Sequence, residues 1–224
     1  MSGSPAIVLV HGAWGSPAMW DYVVEALPDE LEILVADLPT CSTPDASLPD
    51  DAAHVRDLAG DRPVILVGHS YGGAVITEAG AAITGARHLV YVAAAMPDVG
   101  ESMFDWVTKR PTGFEMPMEF FEDGTCLVGF DENDTRYDPE TLARMAKIGL
   151  RRFAIAGSVT PLTSAAWSSL PSTYVVASSD GVIHPDTQRE MAARAGAVTE
   201  IDAQHQVHLS HPDAVAAVIA GLLP

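Results

Sequence analysis

The chain has 224 residues, 48% of them hydrophobic, and a formal net charge of −18 at pH 7. This length and hydrophobic content fit one core with at most an inserted subdomain, and they exclude long disordered regions. The charge disfavours nucleic acid and anionic membrane surfaces as partners, because both are negatively charged themselves.

Short apolar runs rich in Val, Ile and Leu predict six strands. Most runs are continuous rather than alternating, which is typical of strands buried on both faces of a parallel sheet. In chain order they lie at 6–10, 32–38, 63–69, 88–95, 173–178 and 197–202. Helix-like stretches lie at 16–27, 70–83, 185–196 and 211–223. The alternation predicts an α/β fold with a doubly wound, mostly parallel six-stranded sheet.

Residues 98–168 interrupt this alternation. They contain all six phenylalanines of the chain, mixed with methionines, prolines and acidic residues. We interpret them as an insertion between the fourth and fifth strands, which divides the core into residues 1–97 and 169–224. The bulky residues expected to line the mouth of a pocket are Phe120, Phe121 and Trp106.

Ser70 stands in a G-x-S-x-G pattern at residues 68–72, where a strand-like run passes into a helix-like one. In a tight turn between strand and helix, the flanking glycines leave room for the serine hydroxyl to project above the sheet. The N-terminus of the following helix favours a developing negative charge. The alternative is a glycine-rich turn in which Ser70 only caps the helix. The surrounding chain favours a nucleophile.

A serine nucleophile needs a base, and the base needs an acid to orient it. Asp180 follows the fifth predicted strand, and His205 follows the sixth. Because the carboxyl ends of parallel strands share one edge of a sheet, both side chains can meet Ser70 there. We therefore predict Ser70, Asp180 and His205 as the catalytic residues. Asp98, after the fourth strand, is an alternative acid, and Asp180 could instead be a turn residue before Gly181.

Other histidines compete with His205 for the role of the base. His208 lies deeper in the same loop and could line a pocket, whereas His211 precedes a proline at a helix start and is expected to be structural. A metal site built from these three histidines lacks a carboxylate to complete it. His11 and His69 are expected to be packing residues.

An oxyanion formed at the substrate carbonyl needs hydrogen-bond donors. One predicted donor is the backbone N–H of Tyr71, directly after the nucleophile. The other is expected in the loop HGAWG after the first strand, where Gly12 allows a close turn and Ala13 is the predicted donor.

Cys41 and Cys126 lie far apart, without the spacing of a zinc site or a disulfide framework. The N-terminus has no basic n-region, and no apolar stretch reaches transmembrane length. We expect a soluble cytoplasmic protein without metal or cofactor.

Three motifs, in order along nearly the whole chain, resemble the α/β-hydrolase superfamily: LVHGAWG with a later MW, GHSYGG, and SDGVIHP followed by Gln188, MAARAG, a histidine and LSHP. More narrowly, they resemble the compact branch that includes plant methylesterases, hydroxynitrile lyases and related bacterial esterases. The resemblance implies the same triad, Ala13 and Tyr71 as oxyanion donors, and a mostly helical cap formed by residues 98–168.

From the triad we predict a serine hydrolase that cleaves a small to medium uncharged ester through an acyl-enzyme. Hydroxynitrile lyases of this branch typically carry a lysine directly after the catalytic histidine and a threonine at the position matching Gly12. This chain has Gln206 and a bare glycine there, so a small-molecule ester is favoured over a cyanohydrin as the substrate. A non-catalytic ligand-binding protein of the same fold is the third possibility, and the complete triad argues against it.

Overall fold

The computed structural model describes residues 4–114 and 116–224. In chain order its strands are β1 (Ala6–Val10), β2 (Ile33–Val35), β3 (Val64–His69), β4 (Ala86–Val92), β5 (Met118–Phe120), β6 (Thr125–Val128), β7 (Phe153–Ala154), β8 (Ser172–Ala177) and β9 (Ala197–Ile201). Its α-helices are α1 (Asp21–Ala26), α2 (Leu48–Ala59), α3 (Tyr71–Gly80), α4 (Met103–Val107), α5 (Pro139–Ile148), α6 (Ile155–Val159), α7 (Pro185–Ala192), α8 (Val207–Ser210) and α9 (Pro212–Ala220). Short 3-10 helices lie at Pro17–Trp20, Pro39–Cys41 and Ala166–Ser168.

The main sheet has six strands in the order β2-β1-β3-β4-β8-β9, and every neighbouring pair is parallel. The predicted doubly wound sheet is therefore confirmed, and it is parallel throughout. The strand order reverses between β1 and β3, so the loops that follow these two strands diverge. Such a switch point at the carboxyl ends of the strands is where open α/β sheets bind ligands.

Helices cover both faces of this sheet. On one face, α2, α3 and α7 pack on a cluster that includes Val8 and Leu66. On the other face, α1, α8 and α9 pack on a cluster that includes Ile7 and Leu9. Successive side chains of a strand point to opposite faces, and here both faces are buried. This explains why β1 is a continuous apolar run rather than an alternating one.

Helix α2 was not predicted from the sequence. It begins after Ser47, whose backbone N–H donates to Asp50 Oδ2 at 2.8 Å, half of a capping box. Asp51 in this helix is buried and accepts hydrogen bonds from Thr40 Oγ1 at 2.6 Å and from the Tyr71 hydroxyl at 2.7 Å. A buried carboxylate needs such donors, and this one connects α2 to the first residue of α3.

The segment between β4 and β8 contains α4, α5 and α6, and also a small antiparallel sheet in the order β5-β6-β7. This sheet was not predicted, because strands of two to four residues are too short to show a hydrophobic period. The turn between β5 and β6 contains Gly124 with φ of 80°, a conformation that glycine adopts without steric cost.

Several predicted boundaries change in the structure. The predicted helix at 16–27 is a 3-10 helix followed by α1, and the predicted strand at 32–38 shortens to β2. The predicted helix at 211–223 becomes α9, preceded by the single turn of α8.

Two glycines at the start of α3 allow this helix to approach neighbouring strand ends closely. A Cβ atom added to Gly72 would lie 2.4 Å from the carbonyl oxygen of Val10. A Cβ atom added to Gly73 would lie 2.2 Å from the carbonyl oxygen of Ala95. Both contacts are with backbone, which cannot move aside as a flexible side chain can.

We expect Gly73→Ala to lower the free energy of unfolding by about 1–3 kcal/mol, because overpacking forces the backbone apart. For a domain of this size the melting temperature should fall by roughly 2–10 °C, measured by circular dichroism. The control is Gly196→Ala, whose Cβ would meet the Ser172 carbonyl oxygen at an ordinary 3.4 Å. Equal melting temperatures for the two variants would contradict the close approach.

Candidate active site

Ser70 lies between β3 and α3, in a strained backbone conformation with φ of 52° and ψ of −119°. Few non-glycine residues adopt a positive φ, and those that do cluster at functional sites. The glycines of the motif make the turn possible, because a Cβ atom on Gly68 would lie 2.5 Å from the carbonyl oxygen of Gly72. The prediction of a tight strand-to-helix turn at Ser70 is therefore consistent with the geometry.

The structure brings together the three side chains that the sequence singled out. Ser70 Oγ lies 3.0 Å from His205 Nε2, and His205 Nδ1 lies 2.7 Å from Asp180 Oδ2. Each residue follows a different strand, namely β3, β8 or β9, and all three are buried. Two consecutive hydrogen bonds thus run from a hydroxyl through an imidazole to a carboxylate.

Asp180 is fixed by four hydrogen bonds. Its Oδ1 accepts from the backbone N–H groups of Val182 at 2.6 Å and Ile183 at 3.0 Å. Its Oδ2 accepts from His205 and from Gln188 Nε2, the latter at 2.7 Å. With its lone pairs occupied in this way, the carboxylate can turn neither toward solvent nor away from the imidazole.

Gln188 is a residue whose role the sequence analysis missed. It lies on α7, is completely buried, and its Oε1 accepts from the backbone N–H of Ala177 at 3.0 Å. This bond fixes the orientation of the amide, so that Nε2 points at Asp180. In the sequence this glutamine is part of the third motif shared with the α/β-hydrolase superfamily, but its residue type indicates no particular partner.

The competing acid and bases lie elsewhere. The Asp98 side chain bonds to the backbone N–H of Val99, next in the chain. His211 is exposed and bonds to Ser210 at 2.8 Å. His208 is completely buried and does not line the cavity that contains Ser70, so the suggestion that it could line a pocket was wrong.

His69 and His208 form an aromatic support behind His205. His69 Nε2 lies 3.0 Å from the backbone carbonyl oxygen of His205 and donates to it. The His208 ring packs between His69, at a centroid distance of 4.0 Å, and Trp20, at 4.9 Å. His69 is thus the packing residue that was expected, and it also fixes the backbone of the loop that carries His205.

The predicted oxyanion donors lie next to Ser70. A Cβ atom on Gly12 would come within 2.9 Å of Ser70 Cβ, so the loop after β1 lies directly against the serine. Ala13 lines the same cavity, and Tyr71 is the first residue of α3. Within the described ranges, neither the Ala13 N–H nor the Tyr71 N–H donates a hydrogen bond to another residue. Among the described residues, both N–H groups thus lack a protein acceptor, which is consistent with the predicted role.

A cavity of about 400 Å³ opens over Ser70 and His205. The loop after β1 forms one wall, and residues of the segment between β4 and β8 form much of the rest. Apolar side chains dominate there, among them Phe114, Met116, Val128, Phe130, Leu142, Met145 and Leu150. Polar side chains from the same segment are Asp131, Asp134, Arg136 and Tyr137.

The expectation that Phe120, Phe121 and Trp106 line the mouth of this cavity was wrong. Phe120 is 67% exposed on β5, away from the cavity. The ring of Phe121 lies 3.4 Å from the guanidinium carbon of Arg152. Trp106 belongs to α4 and its side chain is buried, with Nε1 donating to Glu101 Oε2 at 2.8 Å. The phenylalanines that do line the cavity are Phe114 and Phe130.

Among the residues that the structure describes, no group of three or more His, Cys, Asp or Glu side chains is arranged to hold a metal ion. Across residues 4–114 and 116–224, no helix has both the length and the apolar character needed to cross a membrane.

Comparisons with known proteins agree with this architecture. The chain matches the model of the alpha/beta hydrolase family over residues 7–218. It is 28% identical to the alpha/beta hydrolase nvfD of Aspergillus novofumigatus, over 96% of this chain and 95% of that protein. A pyrethroid hydrolase from Sphingobium faniae has a similar structure, with a TM-score of 0.76 and 21% identity over 97% of this chain and 96% of the other. Polyneuridine aldehyde esterase gives a TM-score of 0.74 and 19% identity over 98% and 99% of the two chains.

The buried histidines predict how stability depends on pH. Burial, with a smaller contribution from the neighbouring His205, lowers the pKa of His208 to about 3. The unfolded chain therefore binds more protons at this residue below about pH 6.5. The stability that His208 contributes is complete above that pH and is lost as the pH falls towards the lowered value.

We expect His208→Leu to reduce this dependence. Between pH 7 and pH 5 the neutral, buried ring accounts for about 2 kcal/mol of lost stability. The difference in unfolding free energy between these two pH values should therefore shrink by about that amount in the variant, measured by urea denaturation. If the unfolding free energies at pH 7 and pH 5 differ as much in the variant as in the unmodified protein, the pKa of His208 is not lowered by folding.

Proposed function

The chain belongs to the alpha/beta hydrolase family, and from that premise we propose that it is a serine hydrolase that cleaves a small to medium uncharged carboxylic ester through an acyl-enzyme. The observation that carries the proposal is the pair of hydrogen bonds linking Ser70 Oγ, His205 and Asp180, at 3.0 and 2.7 Å. A serine hydroxyl is a weak nucleophile until a base removes its proton.

In the first step, Ser70 Oγ attacks the ester carbonyl carbon, and its proton passes to His205 Nε2. The imidazolium that forms is stabilised by Asp180, which also holds the ring in the tautomer with the proton on Nδ1. The carbonyl oxygen becomes an oxyanion, which accepts hydrogen bonds from the backbone N–H groups of Ala13 and Tyr71. Donors fixed in place before the reaction stabilise this charge without having to reorganise.

In the second step, the tetrahedral intermediate collapses. The bond to the alcohol oxygen breaks, and His205 Nε2–H protonates this oxygen as it leaves. Water then enters, gives its proton to His205 and attacks the acyl carbon. Collapse of the second intermediate returns the proton to Ser70 Oγ and releases the carboxylic acid.

The shape and charge of the protein support an uncharged substrate. The net charge of −18 opposes the approach of an anion. The cavity is within the size range of small-molecule sites, and many of its wall residues are apolar. The structural similarity to polyneuridine aldehyde esterase and to a pyrethroid hydrolase points to hydrolytic chemistry on this fold.

We assign the role of a cap to residues 98–168. Phe114, Met116, Phe130 and Met145 from this segment share the cavity with Ser70. These side chains would contact whatever part of the substrate extends away from the scissile bond. The core then performs the chemistry, and the cap selects the acyl or alcohol group.

Labelling and turnover test the nucleophile. A fluorophosphonate probe should label the protein at one site, and Ser70→Ala should abolish both the labelling and ester turnover. His205→Ala should lower kcat for p-nitrophenyl butyrate by three or more orders of magnitude, as other losses within a triad do. Equal labelling of the Ser70→Ala variant would refute the assignment, and its circular dichroism spectrum controls for folding.

A comparison of two substrates separates ester hydrolysis from cyanohydrin cleavage. Gln206 is neutral and cannot offset the charge of a departing cyanide as an ammonium group can. Position 12 has no room for a threonine, because even a Cβ atom there would lie 2.9 Å from Ser70 Cβ. We therefore expect hydrolysis of p-nitrophenyl acetate or butyrate, and no cyanide release from mandelonitrile above background. Rapid cyanide release with negligible ester turnover would overturn the proposal.

A further inference from the structure

Arg136 connects the cap to the loop that carries Asp180. It belongs to the segment between β4 and β8 and lines the cavity together with Ser70 and His205. Its guanidinium also lies beside Gly181, the residue that follows Asp180. A Cβ atom on Gly181 would lie 2.6 Å from Arg136 Nη1 and 3.7 Å from its Cζ.

The guanidinium is fixed on its other sides by the cap itself. Its Nε donates to Asp134 Oδ1 at 2.9 Å and to Oδ2 at 3.1 Å, and its Nη2 donates to the same carboxylate. The ring of Phe114 covers one face, with its centroid 3.4 Å from the guanidinium carbon. These contacts leave Arg136 few alternative rotamers, so the Nη1 edge stays against Gly181.

The room for a side chain at Gly181 is limited by the Arg136 guanidinium and not by the backbone conformation of Gly181. It is absent from the glycines with positive φ, which in the described ranges are Gly60, Gly100, Gly113, Gly124 and Gly149. Any residue could therefore adopt the backbone conformation at position 181. A side chain at position 181 would instead collide with the guanidinium of Arg136.

The charge of Arg136 is held mainly by Asp134. Hydrogen bonds with Asp134 raise the pKa of the guanidinium, and the negative charges of Asp134 and Asp180 act in the same direction. The cap thus places a guanidinium that is paired with Asp134 beside the loop that carries the acid.

We propose that Arg136 is a positioning residue for the reaction: its contact with Gly181 holds the cap on the loop of the acid, so that closure of the cavity and orientation of Asp180 depend on each other. The proposal rests on the serine hydrolase function assigned above. Arg136 acts on the reaction through Asp180 and does not need to touch the substrate.

The test uses two variants that break the contact from opposite sides. Arg136→Met removes the guanidinium, and Gly181→Ala adds a methyl group where Nη1 now lies. Each should lower kcat for p-nitrophenyl butyrate roughly tenfold, with KM changed less than about threefold, because a displaced acid costs transition-state stabilisation. Because both act through one contact, the double variant should lose no more than the stronger single variant.

The matched control is Arg152→Met. Arg152 also belongs to the segment 98–168, also stacks on a phenylalanine at 3.4 Å, and also pairs with an aspartate, Asp123, at 3.4 Å. It does not line the cavity, so its kcat should stay within about twofold of the unmodified protein. Arg136→Lys keeps the charge without the planar group, and it should recover part of the loss seen in Arg136→Met.

Three results would overturn the proposal. The first is an unchanged kcat in both Arg136→Met and Gly181→Ala. The second is a loss in KM alone, which would place Arg136 in substrate binding. The third is full additivity in the double variant. If Arg136→Met fails to fold, Gly181→Ala decides the matter alone. Failure of the proposed hydrolase function is distinguishable from failure of the positioning role, because the unmodified protein would then neither turn over esters nor react with the fluorophosphonate.

Discussion

The left-handed backbone of Ser70 is the constraint on which the rest of the site depends. A non-glycine residue in this conformation costs about 1–3 kcal/mol, and it persists only when the surroundings enforce it. Here the Ser70 N–H donates to the Val92 carbonyl oxygen at 3.3 Å, and the Ser70 carbonyl oxygen accepts from Ala95 N–H at 3.0 Å. In the described ranges, the other non-glycine residues with positive φ are Trp14 and Ala93. They follow β1 and β4, so the strain is concentrated at the sheet edge where the cavity opens.

Buried carboxylates stabilise this edge from two directions. Asp180 acts through His205, and Asp51 acts through the hydroxyl of Tyr71. A protein with a net charge of −18 can bury these groups only where donors satisfy them. Asp51 has its donors in Thr40 and Tyr71, so the residue directly after the serine is held by its side chain as well as by α3. The backbone N–H of that residue is thereby fixed in direction.

The sequence predicts the core well because the core follows short-range rules. Continuous apolar runs indicate buried parallel strands, and parallel strands bring their carboxyl ends to one edge. This is why Ser70, Asp180 and His205 could be selected before any distance was known. Helix α2 was not predicted because polar residues interrupt its apolar face. Ser47 and Asp50 nevertheless form a capping pattern that marks its start.

Which side chains of residues 98–168 face the cavity could not be predicted in this way, because their orientation depends on how distant strands pair. Aromatic composition suggested Phe120 and Trp106 for the cavity, but Phe120 is exposed on β5 and Trp106 is buried on α4, outside the cavity. A shift of one residue in the pairing of β5 with β6 would exchange the faces of every side chain on those strands. Composition alone contains no information about this register.

The three residues of the predicted triad and most of the cavity wall come from different parts of the chain. Ser70, Asp180 and His205 follow strands of the main sheet, whereas much of the cavity wall comes from the segment between β4 and β8. A cap of this kind can vary its side chains without disturbing the sheet, provided that its contacts with the strand-end loops survive. The Arg136–Gly181 contact is one such place, because it joins a cap side chain to the loop of the acid. Under the proposed function, one guanidinium links substrate selection to catalytic geometry, although the two arise from different parts of the fold.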